Sequence, residues 1–488
     1  MAAIITENFR QHNADQFIES FSEAAANKYY LFIGKSTPFT NSTSGGDDNS
    51  PPTPKDDVTT EFYKWDSMLA AKLISASDVA YVIPRRNWTN STVYDMYEHD
   101  ISSSNTTTSG ATNLYDSTFH FMTSDYRVYK VLDNNGGIAY SGAEPTSTVS
   151  SPFELGGYTL QYMYTLSTSQ IQKFVTSDFI PVTTDTTVSG DAADGSIDTV
   201  RVVAGSGYTD GTYYSAIDGD GANGIVEIKV SGNSIVKQGS TGSNVFAGGT
   251  GYTFGTVDLS NVYSDSGLSS AANIGSGSGG VVQPIISPKG GHGFNAITEL
   301  GGHFVMMNSK LEQAEGDDVT IANDFREVGI IKDPFNFGTT TVSTASTRRQ
   351  SYAIKMASAP STPYEIDEVI TQSTTGAVGR VVEWDATRNI LYYHQEQYAN
   401  YGIAANGNVI AFSGANTITG SSSNAAATPS ATSSENVTLA GGTTLTFASG
   451  YSNPELQPNS GKILYIENRR PISRASDQTE DIKIVVEF

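Results

Sequence analysis

The sequence of 488 residues contains no cysteine. This absence excludes disulfides, thiolate nucleophiles and cysteine-ligated zinc or iron–sulfur sites. Basic residues are also scarce: 28 lysines and arginines stand against 51 aspartates and glutamates, which leaves a formal net charge of −23. Because such a surface repels phosphate, we expect no nucleic-acid binding through the bulk surface and no attraction to anionic membranes.

Long hydrophobic runs are missing as well. No uncharged apolar stretch approaches the ~18–20 residues that a membrane-spanning helix needs, and the N-terminal residues lack the basic segment that begins a signal peptide. We therefore predict no membrane insertion. The chain is instead rich in glycine and aromatic residues, with 47 Gly, 26 Tyr and 21 Phe. This composition suits short strands joined by turns and predicts a mainly β fold.

Two helical patterns occur near the N-terminus. Phe17, Ile18 and Phe21 recur at helical spacing, and Asn13 with Gln16 forms a possible capping box, which predicts a helix beginning near Asn13. A second helix is predicted to begin near Asp57. Its apolar face would contain Phe62, Trp65, Met68, Leu69, Leu73 and Ala76.

Strand patterns dominate the rest of the first 186 residues. Aromatic and β-branched runs, separated by turn residues, favour antiparallel hairpins. A short amphipathic stretch, 167–174, precedes the last of these runs. The predicted strands are 29–34, 119–122, 126–132, 158–164 and 179–182.

A glycine-, serine- and threonine-rich segment with almost no helix signal begins near residue 187. It contains an internal repeat, because Gly-x-Gly-Tyr-Thr-x-Gly-Thr occurs at 205–212 and again at 249–256. Two copies of one motif predict a small β-module whose glycines serve tight turns. A second β-region, around Trp384, contains a Ser/Ala/Thr-rich run.

These composition changes divide the chain into five predicted segments. We expect a β-sandwich-type core with a few flanking helices and two inserted small β-modules. The core would be formed by 1–186, 288–360 and 451–488, and the inserted modules by 187–287 and 361–450.

Candidate sites for cofactors and metals are weak. Gly219-Asp-Gly-Ala-Asn-Gly224 matches a dinucleotide-binding motif in letters, but a Val/Ile-rich strand rather than a helix follows it, which favours a glycine-rich turn. Asp218 and Asp220 resemble the start of a calcium loop, yet Lys229 stands where the bidentate acid belongs. An adventitious ion at these aspartates is the remaining alternative. We therefore predict no cofactor and no metal.

Catalytic patterns are equally weak. The six histidines are scattered, and His292, within a glycine-rich loop, is expected to face solvent or to bond to backbone. Acidic residues cluster at Glu312, Glu315, Asp317 and Asp318. Such a cluster is typical of a solvated loop, although a glycosidase can draw its two carboxylates from anywhere in a chain. We predict that the protein is not an enzyme.

Three arginine pairs remain: Arg85-Arg86, Arg348-Arg349 and Arg469-Arg470. Arginines beside proline and aromatic residues can make bidentate ionic contacts with a partner. Pairing with the chain's own excess carboxylates is an equally good interpretation. As candidate partner-interface residues we select Arg85, Arg86, Trp88, Arg469 and Arg470.

Four motifs in order along the chain resemble the dimeric baseplate wedge subunit of T-even-like contractile-tailed phages. They cover about 1–185, 288–345 and 455–488, so that the two predicted modules fall outside the resemblance. The motifs are Phe32-Ile-Gly-Lys-Ser-Thr-Pro-Phe39, Tyr81-Val-Ile-Pro-Arg-Arg-Asn-Trp88, the stretch from Tyr162-Met-Tyr164 to Phe179-Ile-Pro-Val182, and Gly461-Lys-Ile-Leu-Tyr-Ile-Glu-Asn-Arg-Arg-Pro-Ile472 with its continuation to Phe488.

The resemblance implies a mainly β, sandwich-type core and an isologous homodimer. It also implies a structural role: binding neighbouring wedge proteins in the tail baseplate of a virion that is assembled in the host cytoplasm. It supplies no catalytic residues and no role for the two modules. Two alternatives stay open, a tail-associated protein that binds a glycan or receptor, and a virion glycosidase.

Overall fold

A computed structural model describes residues 4–23, 27–40, 45–236, 242–312, 323–395, 402–439, 442–473 and 479–488. The protein is mostly β, with about 40% of residues in strands and 10% in helices. The strands form many antiparallel sheets. The predicted mainly β fold class is therefore confirmed.

The regular elements are short, and most strands are joined by tight turns. The helices are Glu7–Glu19, Val58–Ser67, Thr168–Phe174, Thr186–Asp191 and Ala296–Glu299, with 3₁₀ turns at Ala76–Asp78 and Leu114–Asp116. The first strands are β1 (Tyr29–Gly34), β2 (Met68–Ile74), β3 (Val79–Pro84), β4 (His120–Met122), β5 (Arg127–Asp133), β6 (Phe153–Leu155), β7 (Tyr158–Thr165), β8 (Phe179–Pro181), β9 (Ile197–Ser206), β10 (Gly211–Ala216), β11 (Asp218–Gly219), β12 (Ala222–Ser231) and β13 (Ser234–Ile235). The later strands are β14 (Asn244–Thr250), β15 (Gly255–Thr256), β16 (Val262–Tyr263), β17 (Ala271–Ala272), β18 (Ser278–Ile286), β19 (Phe304–Leu311), β20 (Phe325–Lys332), β21 (Thr347–Arg349), β22 (Tyr352–Lys355), β23 (Val369–Gln372), β24 (Ala377–Asp385), β25 (Ile390–His394), β26 (Ile418–Gly420), β27 (Ala426–Ala427), β28 (Glu435–Thr438), β29 (Thr444–Phe447), β30 (Tyr451–Ser452), β31 (Lys462–Ile472) and β32 (Glu480–Glu487).

The chain forms two compact units, each assembled from separate stretches of sequence. Unit 1 contains Met1–Gln16, Ala80–Met306 and Val485–Phe488. Unit 2 contains Phe17–Val79 and Met307–Ile484. The five segment boundaries that composition suggests stay a prediction.

Unit 1 contains a four-stranded sheet in the order β4-β5-β7-β6. Strand β3 pairs with β8, and β9 with β18. Further along, β13-β12-β10-β16-β17 form one sheet, with β14 also paired to β12. Tyrosine and phenylalanine side chains fill the core around the four-stranded sheet, as the aromatic runs predict. Buried members of this core are Tyr94, Phe119, Phe121, Tyr129, Tyr140, Tyr158, Tyr162 and Tyr164.

Residues 197–286 of unit 1 enclose a hydrophobic cluster of their own. Tyr208, from the first copy of the repeated motif, lies across two glycines of this region. A Cβ on Gly277 would stand 2.4 Å from the Tyr208 ring, and one on Gly280 would stand 2.5 Å from the hydroxyl oxygen. The hydroxyl accepts a hydrogen bond from the Gly280 N–H at 3.0 Å. Glycine is therefore required at both positions, because the Tyr208 ring covers them. We call Gly277 and Gly280 the first glycine pair.

Tyr252, from the second copy, repeats this contact. A Cβ on Gly221 would stand 2.4 Å from the Tyr252 ring, and one on Gly224 would stand 2.7 Å from its hydroxyl. The hydroxyl accepts a hydrogen bond from the Gly224 N–H at 3.0 Å and donates one to the Ile217 carbonyl at 3.1 Å. Gly221 and Gly224 form the second glycine pair. The dinucleotide-like motif at 219–224 thus serves packing inside the protein.

Unit 2 contains a five-stranded antiparallel sheet in the order β21-β2-β1-β20-β31. Its apolar contacts include Tyr30, Phe32 and Trp65, all of them buried. A seven-stranded sheet follows in the order β27-β26-β23-β24-β25-β22-β30, with a separate hairpin of β28 and β29. This second sheet encloses its own core around Ile354, Ile370 and Leu391.

Both helix predictions near the N-terminus are wrong in extent. The first helix begins at Glu7 rather than near Asn13, and the Thr6 hydroxyl accepts a hydrogen bond from the Phe9 N–H at its start. The second helix begins as predicted, because Asp57 caps it by accepting from the Thr60 N–H at 2.7 Å. It ends at Ser67, however. Met68–Ile74 forms β2, which pairs with β1, and Ala76 begins a 3₁₀ turn.

Candidate functional site

The first candidate interface residues follow β3 in unit 1. Arg85 is half-buried, and its guanidinium donates hydrogen bonds to the Asn87 side chain at 2.9 Å and to the Thr176 carbonyl at 2.7 Å. Trp88 makes an edge-to-face contact with Tyr140 at 6.0 Å. The Trp88 Nε1 atom is buried without a hydrogen-bond partner in the described part of the chain. Unlike Trp88 Nε1, the Arg85 guanidinium already has hydrogen-bond partners within the fold.

Arg86 is bound still more closely by its own unit. Its guanidinium donates to His120 Nδ1 at 3.0 Å and to the Tyr115 carbonyl at 3.1 Å. His120 Nε2 lies 3.1 Å from the Pro84 carbonyl, which fits a neutral ring with its proton on Nε2. Burial, and then the charge of Arg86, lower the pKa of His120 to about 3. Arg86 is thus a donor to a buried neutral histidine.

The second candidate pair belongs to β31 of unit 2. This strand is at the edge of the five-stranded sheet, and its pairing with β20 is irregular between Phe325 and Glu327. Arg469 is half-buried and Arg470 is exposed; the Arg470 Nε donates to the Asn49 carbonyl at 3.1 Å. The structure thus divides the candidates between two sites, one in each unit.

The third arginine pair belongs to unit 2, where Arg349 is buried and Arg348 is half-buried. Arg349 is buried and donates to the Asn453 carbonyl at 2.9 Å and to the Ser351 carbonyl. Arg348 donates to the Ser343 hydroxyl at 2.8 Å. Arg348 Nη1 also lies 3.9 Å from Glu455 Oε1, so that this arginine has a carboxylate partner within its own unit, as one of the two interpretations of such pairs expects.

Of the two aspartates that resemble a calcium loop, Asp220 has partners for its carboxylate within the protein. Asp220 accepts from the Thr253 N–H at 2.9 Å and the Phe254 N–H at 3.2 Å, as well as from the Thr253 hydroxyl. These hydrogen bonds, the Thr253 hydroxyl first, lower the pKa of Asp220 to about 2. Asp220 therefore joins the second repeat copy to the turn before β12.

Unit 1 also contains a buried ionic cluster that the sequence did not predict. It consists of Lys130, His292 and Glu299. Lys130 Nζ lies 2.7 Å from Glu299 Oε2 and 2.7 Å from His292 Nδ1, and it stands 4.2 Å from the centre of the Tyr97 ring. The side chains of the three cluster residues are at most 2% exposed. His292 is thus buried and contacts a lysine side chain, which corrects the expectation that it faces solvent or bonds to backbone.

The cluster is held in place by backbone groups. Glu299 Oε1 accepts from the Gly293 N–H at 2.8 Å and the Asn295 N–H at 3.2 Å. His292 Nε2 lies 3.9 Å from Asp198. Burial lowers the pKa of Lys130 and, together with the charge of Lys130, lowers that of His292; burial raises the pKa of Asp198. A lysine within an apolar strand run, Tyr129-Lys-Val-Leu132, is the one sequence signal that could have revealed it.

Other chemistry-bearing residues do not converge. Within the described ranges, no group of three or more His, Cys, Asp or Glu side chains could hold a metal ion. Glu315, Asp317 and Asp318 of the acidic cluster lie outside the described residues. In the same described part, no helix is both long and apolar enough to span a membrane.

The comparison with known protein families bears on the N-terminal third of the sequence. Residues 3–149 match the family model described as Bacteriophage T4, Gp8, a baseplate wedge protein. The resemblance inferred from the motifs is thereby confirmed over this region, which contains the first candidate interface residues. No curated protein is significantly similar to the chain.

Proposed function

We propose that this chain forms a two-fold homodimer and binds neighbouring wedge proteins during baseplate assembly in the host cytoplasm. Assembly is its biochemical role, and it turns over no substrate. The match of residues 3–149 to the Gp8 family is the observation that supports this proposal.

The charge of the chain limits how such an assembly can form. Two copies that each carry −23 repel one another at long range. Buried apolar and aromatic surface must therefore supply most of the interface energy, while individual arginines provide register by pairing with carboxylates. An arginine can bind a partner only through guanidinium N–H donors that its own unit does not already use. The candidates differ in how many of these donors are used.

Strand β31 is the better placed candidate for the dimer contact. Its outer edge has no partner strand among the described residues, and Leu464 on it is 49% exposed. If two copies pair antiparallel about an axis at Asn468, Glu467 of one copy faces the partner's Arg469. Pro471 lacks an N–H and ends the row of donors. In an isologous contact of this kind the same strand of both copies pairs with itself, and residues of opposite charge face each other.

The contact is tested by native mass spectrometry of the purified chain and of R469A/R470A. We expect a dimer of the 51.9 kDa chain. If the arginines are buried against partner carboxylates, the double substitution should weaken dimerisation by about 2–5 kcal/mol while leaving the monomer folded. R127A, which removes a surface ion pair with Asp125, is the matched control and should leave the dimer intact.

Binding to wedge proteins is tested separately, by pull-down of the neighbouring wedge proteins with wild type and with R85A. Arg85 is chosen over Arg86 because loss of Arg86 would leave buried His120 without its donor. We expect R85A to capture less wedge protein while the chain stays folded, with a small loss of thermal stability because its hydrogen bond to the Thr176 carbonyl is removed. A strictly monomeric chain that captures no wedge component would contradict the proposal.

The two modules are proposed to be insertions into the shared core. The separate hydrophobic cluster of residues 197–286 supports this for the first module. Replacing 190–284 by a short Gly/Ser linker should leave the rest of the chain cooperatively folded, because the cost of loop closure grows slowly with length. Loss of a cooperative thermal transition would contradict it.

A second candidate function, glycan binding, is favoured by one cavity in unit 2. The cavity has a volume of about 210 Å³ and is lined by Trp65, Tyr352 and Tyr451, among others. Gln350 also lines it, and its Oε1 is buried without a hydrogen-bond partner in the described part of the chain. Aromatic faces with a free polar acceptor suit a saccharide ring. A glycan array with wild type and Y352A tests this candidate.

A further inference from the structure

The buried ionic cluster contains the parts of a self-modifying site. We propose that Lys130 and Glu299 become joined by an intramolecular isopeptide bond between Lys130 Nζ and Glu299 Cδ once the chain has folded. The geometry supplies a nucleophile, a base and two donors to the carbonyl oxygen, all within the buried ionic cluster of unit 1.

The nucleophile and its base are already in contact. Lys130 Nζ lies 2.7 Å from Glu299 Oε2, so that the amine is held in contact with the carboxyl group whose Cδ it would attack. His292 Nδ1 accepts from the same Nζ at 2.7 Å and can take the proton that attack releases. Burial disfavours the charged forms of Lys130 and His292, so that a free amine and a free imidazole become accessible.

The acceptor carboxyl is oriented by backbone donors. Glu299 Oε1 accepts from the Gly293 N–H at 2.8 Å and from the Asn295 N–H at 3.2 Å. Two such donors stabilise the negative charge that develops on this oxygen when Cδ becomes tetrahedral. The other oxygen, Oε2, faces Lys130 and is the leaving group.

The reaction balances without an oxidant or cofactor. The ammonium of Lys130 carries three protons and the carboxylate of Glu299 none. One proton moves from Nζ to Oε2, and the nitrogen lone pair attacks Cδ. A second proton moves to His292 Nδ1 and from there to Oε2, which leaves as water when its bond to Cδ breaks. The amide nitrogen keeps the third proton, and His292 is regenerated.

Unit 2 offers an internal control. Lys64 and Glu327 also form an ion pair, in which the Glu327 side chain is 1% exposed. Here, however, Glu327 Oε1 has no hydrogen-bond partner among the described residues, and no histidine contact to Lys64 is found within them. Without a base and without donors to the carboxyl oxygen, this pair is expected to stay ionic.

The bond would close a covalent ring from residue 130 to residue 299. This ring contains all of residues 197–286, so that the module would be fastened at its base to strand β5. A cross-link restricts the unfolded chain and stabilises the fold most when the loop it closes is long.

The test is the intact mass of the full chain under denaturing conditions, followed by a tryptic map. We expect wild type to be lighter than its sequence by one water. Because trypsin does not cleave at an acylated lysine, the peptide 128–173 should appear linked to 290–310. Lys64 should appear in ordinary, unlinked peptides.

Two variants sharpen the result. Glu299→Gln should give the same linked peptides with loss of ammonia in place of water, since the amide nitrogen then leaves. Lys130→Arg keeps the positive charge but removes the nucleophile, and it should have its full mass. Wild type at full mass would overturn the proposal. So would a loss of water without linked peptides, or a link from 128–173 to 174–201, which contains Asp198.

Discussion

The two copies of the tyrosine motif perform the same packing task with opposite chain order. Tyr208 precedes its glycine pair in the sequence, whereas Tyr252 follows its pair. Each glycine pair belongs to a G-x-G-x-x-G segment, Gly275–Gly280 in one case and Gly219–Gly224 in the other. The visible repeat is therefore half of the repeated unit. One half provides a tyrosine ring, and the other half provides the two glycines against which the ring lies.

The copies differ in the hydrogen bonds of the tyrosine hydroxyl. Tyr252 both accepts from a backbone N–H and donates to the Ile217 carbonyl. For Tyr208, one bond, accepted from the Gly280 N–H, is found within the described residues. Both rings are buried, at 5% exposure for Tyr208 and 2% for Tyr252. The Tyr252 side chain is therefore expected to be held more tightly than the Tyr208 side chain.

The largest effect should come from removing either ring. Tyr208→Ala and Tyr252→Ala should each lower the free energy of unfolding by about 3–5 kcal/mol, because each leaves a cavity against bare glycine backbone. Chemical denaturation followed by fluorescence measures this. Tyr214→Ala, at a half-buried position of the same region, is the control and should cost less. Equal costs at all three positions would show that the glycine contact is unimportant.

A smaller effect should come from adding a methyl group to each glycine pair. Gly221→Ala and Gly277→Ala each place a Cβ 2.4 Å from a tyrosine ring, so that the ring must move. We expect a cost of about 1–3 kcal/mol in each copy. Gly190→Ala, where a Cβ meets nothing within 4 Å, is the matched control and should be neutral or slightly stabilising in its helix. Thermal unfolding of the three variants measures the contrast.

Removing only the hydroxyl should separate the copies. Tyr252→Phe loses two hydrogen bonds and leaves the Gly224 N–H buried, whereas Tyr208→Phe loses one. At about 0.5–1.5 kcal/mol for each net hydrogen bond, the Tyr252 variant should be the less stable by about 1 kcal/mol. Denaturant midpoints at equal m-values test this order. The reverse order would show that the Tyr208 hydroxyl contributes more to stability than the Tyr252 hydroxyl.

The smallest expected effect is a pH dependence at the second copy. The pKa of Asp220 is lowered to about 2 in the folded chain, from an ordinary value of 3.8. Asp220 therefore contributes stability above pH 3.8, and this contribution is lost as the pH falls towards 2. Asp220→Asn should be less sensitive to acid over this interval. Thermal midpoints of both proteins between pH 2 and pH 6 give the comparison, and parallel curves would contradict it.

The sequence predicted the elements whose signals are local. The strand Tyr29–Gly34 has the predicted bounds, and Asp57 caps its helix, because a buried apolar run and a capping aspartate act over a few residues. The helical pattern beyond Ser67 failed because Met68–Ile74 finds a better partner in β1, and pairing between strands overrides local propensity. The prediction for the environment of His292 was wrong for a related reason. Its partner Lys130 is 162 residues away, and no local pattern indicates such a contact.

The interleaving of the two units determines how this protein can be taken apart. The chain passes from one unit to the other at 16–17, 79–80, 306–307 and 484–485. Any fragment produced by a single backbone cut therefore contains incomplete pieces of at least one unit, and no contiguous fragment contains unit 1 without unit 2. Truncation from either end removes part of unit 1, so that a loss of binding in a truncated chain will first reflect a loss of folding. Binding surfaces must be mapped by point substitution or by internal replacement, and a nicked chain is expected to migrate as one particle until it is denatured.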